Sequence, residues 1–499
     1  MGVQIGSLYT RSESIEKVVA LERRVARILA IVRSAVNYTV MVNRLPPEVL
    51  AKVLSFRHDD RDLISATHVC EQWRSTLLST PLLWTEVVFG DPDRTFTYLE
   101  RSKGTPLHVS IGGSTLDSLT GDMSWISRMS TLTITGAQGQ IESIAGQLCS
   151  PAPLLQSLTF KAPLEPEVWR AVGHLIHIPP GFLGQQVPSL CNLAFLSVSP
   201  SPVTSIPLQH LTSLHWTDSS VLIGELLIVL ASAPLLEAAI LDFRGSSTPP
   251  VAESLTVVTL SKLRKLVWAV RGRFSLMHSL IAPELDDLNI RLNYDPLRSD
   301  PSIILPPHRG RFPLLVEPTA LRYVCRSSAR TWHFTYTSGQ LTISESKDLF
   351  TPHPPADRWL SPTTPISFGR VEKLVVDGIG GYPLPANIPI EQFESLETLK
   401  LVGEVGRLLG ILQPNDNATS GILLVPFLSH LELHPAPHEL DLPFEMLTEI
   451  LRKRKEAGHG VKTVRIVGEY GERLSGVGSE LTKFVDVLML DQLPDSVED

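Results

Sequence analysis

Two histidine pairs have a spacing that could hold a metal ion. His174 and His177 are separated by two residues, and His434 and His438 by three. Zinc needs three or four protein ligands, and neither pair stands in a pattern with Cys or Glu that completes such a set, so we interpret them as solvated or core histidines. Residues 378–381 (Gly-Ile-Gly-Gly) lack the Lys-Ser/Thr of a phosphate loop. The sequence therefore predicts no catalytic, cofactor-binding or metal-binding residues.

The composition is that of a globular protein in a reducing compartment. The chain has 499 residues, of which 43% are hydrophobic, and its formal net charge is −8. No block of Lys and Arg marks a nucleic-acid surface. The four cysteines are scattered without Cys-x-x-Cys spacing, which favours neither a disulfide framework nor a zinc site. Because no run of about eighteen apolar residues and no signal-peptide pattern occurs, we expect a cytoplasmic or nuclear protein.

Residues 45–84 have the pattern of a compact group of helices. Pro46 and Pro47 fit the first turn of a helix, and Glu48 complements the helix dipole there. The apolar stripe that follows at helical spacing consists of Val49, Leu50, Val53 and Leu54. The same spacing predicts one further helix over residues 62–79. Fewer than about fifty residues bury too little apolar surface to be comfortably stable alone, so we expect these helices to pack against something more, for example a partner protein.

Residues 42–89 resemble the F-box in three separated motif parts. These are Leu-Pro-x-Glu at Leu45, Val-Cys-x-x-Trp-Arg at Val69 and Leu-Trp at Leu83. The resemblance implies that the segment binds the small adaptor Skp1 and attaches the chain to a cullin-RING ubiquitin ligase. On matching positions, the Skp1-binding residues would be Leu45, Pro46, Glu48, Val49, Leu50, Val53, Leu54, Val69, Cys70, Trp73 and Trp84.

Within this set, Cys70, Trp73 and Trp84 would fix the helix packing. Many relatives have Ile-Phe where this chain has Val53 and Leu54, and that departure is conservative in volume. The alternative interpretation is an ordinary Leu-rich helical hairpin with a coincidental Pro-Pro start.

A long amphipathic helix is predicted ahead of this segment, over residues 1–41. Its apolar face, which Glu22 interrupts, consists of Ile15, Val18, Val19, Val25, Ile28, Leu29, Val32 and Val36. The other face carries the basic residues Lys17, Arg23, Arg24, Arg27 and Arg33. We favour a helix that packs on its own domain. The alternatives are a helix that binds a membrane surface or a partner, and a short coiled coil that makes the chain a dimer.

A short pattern, apolar-x-x-apolar-x-apolar, recurs along the rest of the chain. Its copies are Met129/Leu132/Ile134, Leu155/Leu158/Phe160, Leu193/Leu196/Val198, Leu211/Leu214/Trp216, Leu236/Ala239/Leu241, Leu263/Leu266/Trp268, Leu285/Leu288/Ile290, Val371/Leu374/Val376, Leu396/Leu399/Leu401, Leu428/Leu431/Leu433 and Val461/Val464/Ile466. The pattern resembles the strand segment of a leucine-rich repeat, which buries these apolar positions and exposes the residues between them.

The residues expected on the exposed, concave face are Thr159, Ser197, His215, Arg264, Lys265, Val267, Asp287, Asn289, Lys373, Lys400, His430, Glu432, Thr463 and Arg465. They share no single charge or chemistry. The substrate-binding residues and the substrate are therefore unknown from the sequence.

The predicted fold class is an α region followed by an α/β region. A helical F-box precedes an irregular leucine-rich-repeat solenoid, in which short parallel strands alternate with convex-side helices. The repeat-like domain covers residues 113–499, after a linker at residues 90–112 that holds a short helix and a strand. Residues 294–368 do not fit the repeat, because they are rich in Pro and hold a hairpin-like segment, so we interpret them as an insertion.

Together, the two resemblances imply a non-catalytic adaptor, the substrate-recognition subunit of an SCF-type (Skp1-cullin-F-box) ubiquitin ligase. In that role the F-box binds Skp1 and the repeat domain binds the substrate protein. The alternative is a leucine-rich-repeat scaffold for protein interactions that has no ubiquitin-ligase role.

Overall fold

The computed structural model describes residues 3–56, 60–113, 123–163, 174–201, 206–218, 223–243, 257–270, 276–293, 318–326, 329–336, 339–346, 366, 368–378, 390–403, 405–412, 425–435, 443–468 and 478–491. The chain divides into two compact units. The first comprises Met1–Thr133 and Ala152–Leu155, and the second comprises Ile134–Pro151 and Gln156–Asp499. No helix in these described ranges is long and apolar enough to span a membrane.

The first unit begins with a single long helix, α1 (Val3–Thr39), as predicted. The hypothesis that α1 packs on its own domain is wrong for the side chains that the structure describes, because its apolar stripe is exposed. Its C-terminal end is held where the carbonyl of Asn37 accepts hydrogen bonds from the N–H of Val40 and from the side chain of Asn43. Asn43 lies in a 3-10 helix, Met41–Arg44.

The next helices of the first unit are α2 (Pro47–Ser55), α3 (Asp60–Ala66) and α4 (Glu71–Ser79). The prediction of one helix over residues 62–79 is wrong, because the chain leaves the helix after α3. There the hydroxyl of Thr67 donates a hydrogen bond to the carbonyl of Ile64 at 2.6 Å and closes a tight turn. Cys70 then adopts an extended conformation, with φ −158°, and α4 begins at the following residue.

The first unit continues with a 3-10 helix (Pro81–Trp84), strand β1 (Glu86–Phe89), helix α5 (Pro92–Arg101) and strand β2 (Leu107–Gly112). The strands pair in parallel, with Val87 opposite Val109. Asp91 caps α5, because its carboxylate accepts a hydrogen bond from the N–H of Asp93 at 3.0 Å. The predicted linker, residues 90–112, thus holds a helix and a strand.

A strand-rich α/β region with parallel pairing follows. Its strands are β3 (Met129–Thr135), β4 (Ser157–Lys161), β5 (His174–His177), β6 (Asn192–Leu196), β7 (Val198–Ser201), β8 (Ser213–Asp218), β9 (Ala238–Phe243), β10 (Val258–Thr259), β11 (Lys265–Val270), β12 (Leu280–Ile281), β13 (Asp287–Asn293), β14 (Ala320–Arg326), β15 (Ala329–Tyr336), β16 (Gly339–Ser346), β17 (Lys373–Gly378), β18 (Thr398–Gly403), β19 (His430–Pro435), β20 (Thr463–Val467) and β21 (Val487–Asp491). Its α-helices within the described ranges are α6 (Gln138–Gln147), α7 (Ile223–Ala231), α8 (Val405–Leu409) and α9 (Phe444–Glu456).

Most neighbouring strands of the second unit run in the same direction. Strands β4, β6, β8, β9, β11 and β13 pair in parallel, each with the next. The strands β17 to β21 do the same. Two smaller parallel pairs, β5 with β7 and β10 with β12, lie in separate sheets.

The predicted apolar triplets are buried, with one exception. The triplet Leu193/Leu196/Val198 is wrong in register, because Leu193 lies opposite Leu158, the middle residue of its own triplet. The buried residues of this segment are Leu190, Leu193 and Phe195. The pattern is therefore shifted by three residues at β6, and elsewhere the strands bury the residues that the sequence predicts.

The hairpin predicted inside residues 294–368 is confirmed. Strands β15 and β16 pair antiparallel, with Tyr336 opposite Gly339, and β14 pairs antiparallel with β15. In addition, β16 pairs in parallel with β13, and β14 pairs in parallel with β17. These strands therefore belong to the sheet, and the interpretation of residues 294–368 as an insertion into the repeat pattern stays a prediction. The Pro-rich residues 294–317 and 347–365 lie outside the described residues.

Aromatic side chains on successive strands form a stack inside the second unit. The ring centroids of Phe160 and Phe195 are 5.6 Å apart, and those of Phe195 and Trp216 are 5.4 Å apart. Phe243 lies between Trp216 and Trp268, at 6.0 and 5.7 Å. Parallel pairing brings Phe160, Phe195 and Trp216 to matching register positions, and Phe243, two residues further along β9 than that position, fills the space between Trp216 and Trp268.

We predict that Phe195→Ala lowers the free energy of unfolding by about 3–5 kcal/mol, because the ring is fully buried between two others. Urea titration followed by tryptophan fluorescence measures the change. The control is Phe427→Ala, since that ring is 66% exposed, and it should change the free energy by less than about 0.5 kcal/mol. Equal effects at the two positions would contradict the stacked core.

Candidate functional site

Helix α2 carries an exposed apolar stripe. Val49, Val53 and Phe56 follow one another at four- and three-residue steps, so they lie on one side of the helix and its C-terminal end. Val49 is 44% exposed, Val53 51% and Phe56 67%. The ammonium of Lys52 lies 5.0 Å from the centroid of the Phe56 ring. We call these four residues the α2 face, an apolar surface from which a partner could displace water.

The other side of α2 belongs to the core of its unit. Leu50, predicted at or near a partner contact, is fully buried, so it serves the packing of the unit itself. Leu45 and Leu54 are half-buried. The side-chain amide of Gln72, in α4, donates a hydrogen bond to the carbonyl of Leu45 at 3.3 Å. The helix is therefore anchored on one side and exposed on the other.

One buried side chain connects the end of α1 to α4. The amide nitrogen of Asn43 donates to the carbonyl of Asn37 at 2.7 Å. Its Oδ1 accepts from the indole Nε1 of Trp73 at 2.6 Å. Because burying a polar group without partners is costly, these two hydrogen bonds favour one arrangement of the segment around α2.

Trp84 has a similar role at the end of the helical segment. Its indole is fully buried and donates from Nε1 to the carbonyl of Leu77 at 2.9 Å. The ring of Tyr98 packs edge-on against it, with centroids 5.0 Å apart, and the guanidinium of Arg101 lies 4.5 Å from the ring centroid. Trp84 thus joins α4 to α5.

The remaining predicted site residues lie at the N-terminal end of α2 and before α4. Pro46 precedes the first residue of α2 and Glu48 lies in the first turn, and both are exposed. Val69 is exposed, whereas Cys70, at the start of α4, is half-buried. The assignment of the eleven residues to a Skp1 contact stays a prediction.

Two residues of this region are missing from the sequence-based site, Asn43 and Phe56. Phe56 continues the spacing of Val49 and Val53, so the helical period does carry a signal for it. Asn43 has no such signal, because its partner Trp73 is 30 residues away in the sequence.

On the second unit, opposite charges lie side by side on neighbouring strands. Lys400 on β18, Glu432 on β19 and Arg465 on β20 occupy matching register positions. Glu432 Oε1 lies 3.0 Å from Lys400 Nζ, 3.4 Å from Arg465 Nη1 and 2.5 Å from His434 Nε2. Arg465 Nε also donates to Asp491 Oδ2 at 2.6 Å. We call these five residues the charged row.

The charges of the row change the pKa values of its members. Burial alone would raise the pKa of Glu432, but hydrogen bonds from His434 and Lys400, together with their charges, lower it below its ordinary value. The hydrogen bond and charge of Asp491 raise the pKa of Arg465. The row is therefore largely compensated within itself, and it presents oriented hydrogen-bonding groups rather than a large net charge.

The structure describes the two histidine pairs only in part. His174 and His177 stand at opposite ends of β5, and His434 binds Glu432. His438 lies outside the described residues. Among the residues that the structure describes, no group of His, Cys, Asp and Glu could hold a metal ion.

Most residues that the sequence predicts on the exposed strand face do alternate along their strands with buried residues. Three of them, Ser197, Arg264 and Val267, do not fit the prediction. Ser197 follows β6 in a left-handed conformation, with φ 61°, and Arg264 precedes β11. Val267 lies on β11 between the buried residues Leu266 and Trp268, but it is buried as well and not exposed. On β8, burial lowers the pKa of His215, against the opposing charge of Asp242.

Comparison with protein families identifies the helical segment. A family model described as F-box-like matches residues 42–90, which include α2, α3, α4 and β1. The chain therefore contains an F-box-like domain at these positions, and F-box domains generally bind Skp1. A comparison with curated proteins finds no match for the chain.

We predict that Asn43→Ala lowers the free energy of unfolding of the first unit by about 1–3 kcal/mol, because the change removes both hydrogen bonds of a buried side chain and leaves the indole N–H of the half-buried Trp73 without its acceptor. Chemical denaturation followed by circular dichroism measures the change. The control is Gln138→Ala, which removes an exposed hydrogen bond to Glu142 and should have an effect below about 0.5 kcal/mol.

A second prediction concerns pH. Because the pKa of Glu432 is lower in the folded protein, the unfolded chain takes up its proton first as the pH falls. The stabilisation by Glu432 is therefore present above its unfolded pKa of about 4.3 and is lost as the pH falls through the folded value. We expect Glu432→Gln to lower the melting temperature at pH 7 and to have a smaller effect near pH 3.

Thermal melts across this range, with the exposed Glu480→Gln as a control, test the pH prediction. A melting-temperature difference for Glu432→Gln that stays constant down to pH 3 would mean that the charged row does not stabilise the ionised carboxylate.

Proposed function

We propose that the chain is a substrate-recognition adaptor subunit of an SCF-type ubiquitin ligase. The F-box-like domain binds Skp1, and the strand-rich region binds the substrate protein. The observation that carries the proposal is the α2 face, an exposed apolar stripe within the segment that matches the F-box-like family.

The α2 face supports a contact with a partner protein for a physical reason. Moving apolar side chains of this size out of water is favourable, by about 25 cal/mol for each Å² of apolar surface that is buried. Lys52 can keep its charge at the rim of such a contact, where its ammonium lies over the Phe56 ring. The proposed Skp1 contact is therefore centred on Val49, Val53 and Phe56, with Leu50 as support from inside.

We further propose that the strand-rich region is a leucine-rich-repeat-like domain. Its parallel strands bury recurring Leu residues at matching register positions, such as Leu399 and Leu431, and this supports the proposal. The intervening positions, including the charged row, would contact the substrate. Their mixed chemistry does not favour one class of substrate.

In this proposal the chain has no catalytic step of its own. It holds the substrate near the ligase subunits that transfer ubiquitin and so raises the effective concentration of the reactants. A cytoplasmic or nuclear location fits the free thiols of Cys70, Cys149 and Cys191, which are unpaired by disulfides within the described chain.

We predict that the double variant Val49→Asp, Val53→Asp raises the dissociation constant for Skp1 at least about 100-fold, because two carboxylates would have to be buried without partners. Isothermal titration of purified Skp1 into the full chain measures the affinity. Both residues are exposed, so the variant should keep the circular dichroism spectrum of the unmodified chain.

The matched control is Ile228→Asp, Leu235→Asp, which places two charges at exposed apolar positions of the second unit and should bind Skp1 normally. Unchanged binding by the α2 double variant would contradict the proposed contact. If the chain binds Skp1 but does not co-elute with a Skp1–cullin complex in size-exclusion chromatography, the scaffold alternative is favoured over the ligase role.

A further inference from the structure

The exposed stripe of α1 is not used by the proposed Skp1 contact. Val18, Leu21, Val25, Ile28 and Val32 are each between 53% and 62% exposed. At 37 residues, α1 is about 55 Å long. Helices in proteins gain most of their stability from burying an apolar side, so a helix of this kind favours association with another surface.

The spacing of the stripe is that of a coiled-coil seam. Starting at Val18, the a positions are Val18, Val25 and Val32, and the d positions are Leu21, Ile28 and Ala35. All six are apolar and exposed. A strict seven-residue repeat makes helices supercoil around each other, and in parallel coiled coils β-branched residues at a with Leu at d, as at Val18 and Leu21, favour two strands.

The charges beside the seam complement a second copy of the same helix. In this register Lys17 is at a g position and Glu22 is at the next e position. In a parallel pair, g of one helix faces the following e of its partner, so each Lys17 meets a Glu22 of the other copy, twice across the pair. In the next heptads, Arg24 would cover Leu29, and Ile31 would pack on Val36, which extends the apolar contact.

We propose that two copies of this chain associate through α1 as a parallel, in-register coiled coil over residues 17–38. The seam is formed by the six a and d residues, and the ion pairs between Lys17 and Glu22 select the parallel register. The proposal is independent of Skp1 binding, because it uses none of the residues of the α2 face.

The parallel register has a consequence for the F-box-like domain. The side chain of Asn43 holds the C-terminal end of α1 to this domain through Asn37 and Trp73. A parallel pair therefore carries both F-box-like domains at the same end of the coiled coil. An antiparallel pair would separate them by roughly the length of the helix.

Sedimentation equilibrium of the full chain tests the association. We expect a monomer–dimer equilibrium whose dissociation constant rises at least about 100-fold in Val25→Asp, because a charge enters the seam. The control is Ala30→Asp, which places the same charge at an exposed f position opposite the seam and should alter the dissociation constant less than about threefold. Circular dichroism must show that both variants remain folded.

A charge exchange tests the register. Lys17→Glu and Glu22→Lys should each weaken their own homodimer about tenfold, because like charges then meet in both pairs. When the two variants are mixed, opposite charges meet again and the mixed dimer should form preferentially.

Several results would overturn the proposal. They are a chain that stays monomeric at every concentration, a dimer that Val25→Asp leaves intact, and mixed variants that show no preference for each other. A monomer that binds vesicles of anionic phospholipid through α1 would assign the stripe to a lipid surface instead.

Discussion

Parallel strand pairing is the constraint on which the second unit depends. Each strand must bring a buried side chain to the same register position as its neighbours, because a slip of one residue would move the apolar side chains to the other face. Leu158, Leu193 and Leu214 lie opposite one another in this way. The aromatic stack, two residues further along the same strands, is a consequence of that register.

Parallel pairing with the neighbouring strands is kept even at β14, β15 and β16, which pair antiparallel with one another. Two strands joined by a hairpin run in opposite directions, so β14 and β16, on either side of β15, run in the same direction. As a result β16 can pair in parallel with β13, and β14 can pair in parallel with β17. If only two antiparallel strands lay between β13 and β17, one of them would have to pair antiparallel with its outer neighbour. With three antiparallel strands, both outer pairings can be parallel.

Periodicity in the sequence predicts the buried residues of the strands, because the alternation is a property of one strand alone. It fails at β6, where overlapping triplets beginning at Leu190 and Leu193 both fit the pattern, and pairing with β4 decides between them. It also fails between α3 and α4, where the apolar period continues but the hydroxyl of Thr67 binds the helix carbonyl of Ile64 and closes a turn. On α2, the same period cannot separate the buried Leu50 from the exposed Val49. At β6 and on α2 the deciding contacts lie outside the segment, whereas at Thr67 the deciding contact is a local hydrogen bond that an apolar period does not report.

The two candidate binding surfaces differ in what they can contribute to recognition. The α2 face is apolar, so covering it releases water whatever the details of the partner, and this favours affinity. In the charged row, Glu432 already faces Lys400, His434 and Arg465, so a partner gains only if it replaces those interactions with equally good ones. A partner with the wrong geometry would leave charges without their partners, which is costly, so the row favours discrimination. In the adaptor role that we propose, apolar burial on the helical domain would hold the constant partner, and the compensated, oriented charges on the strands would select the second one.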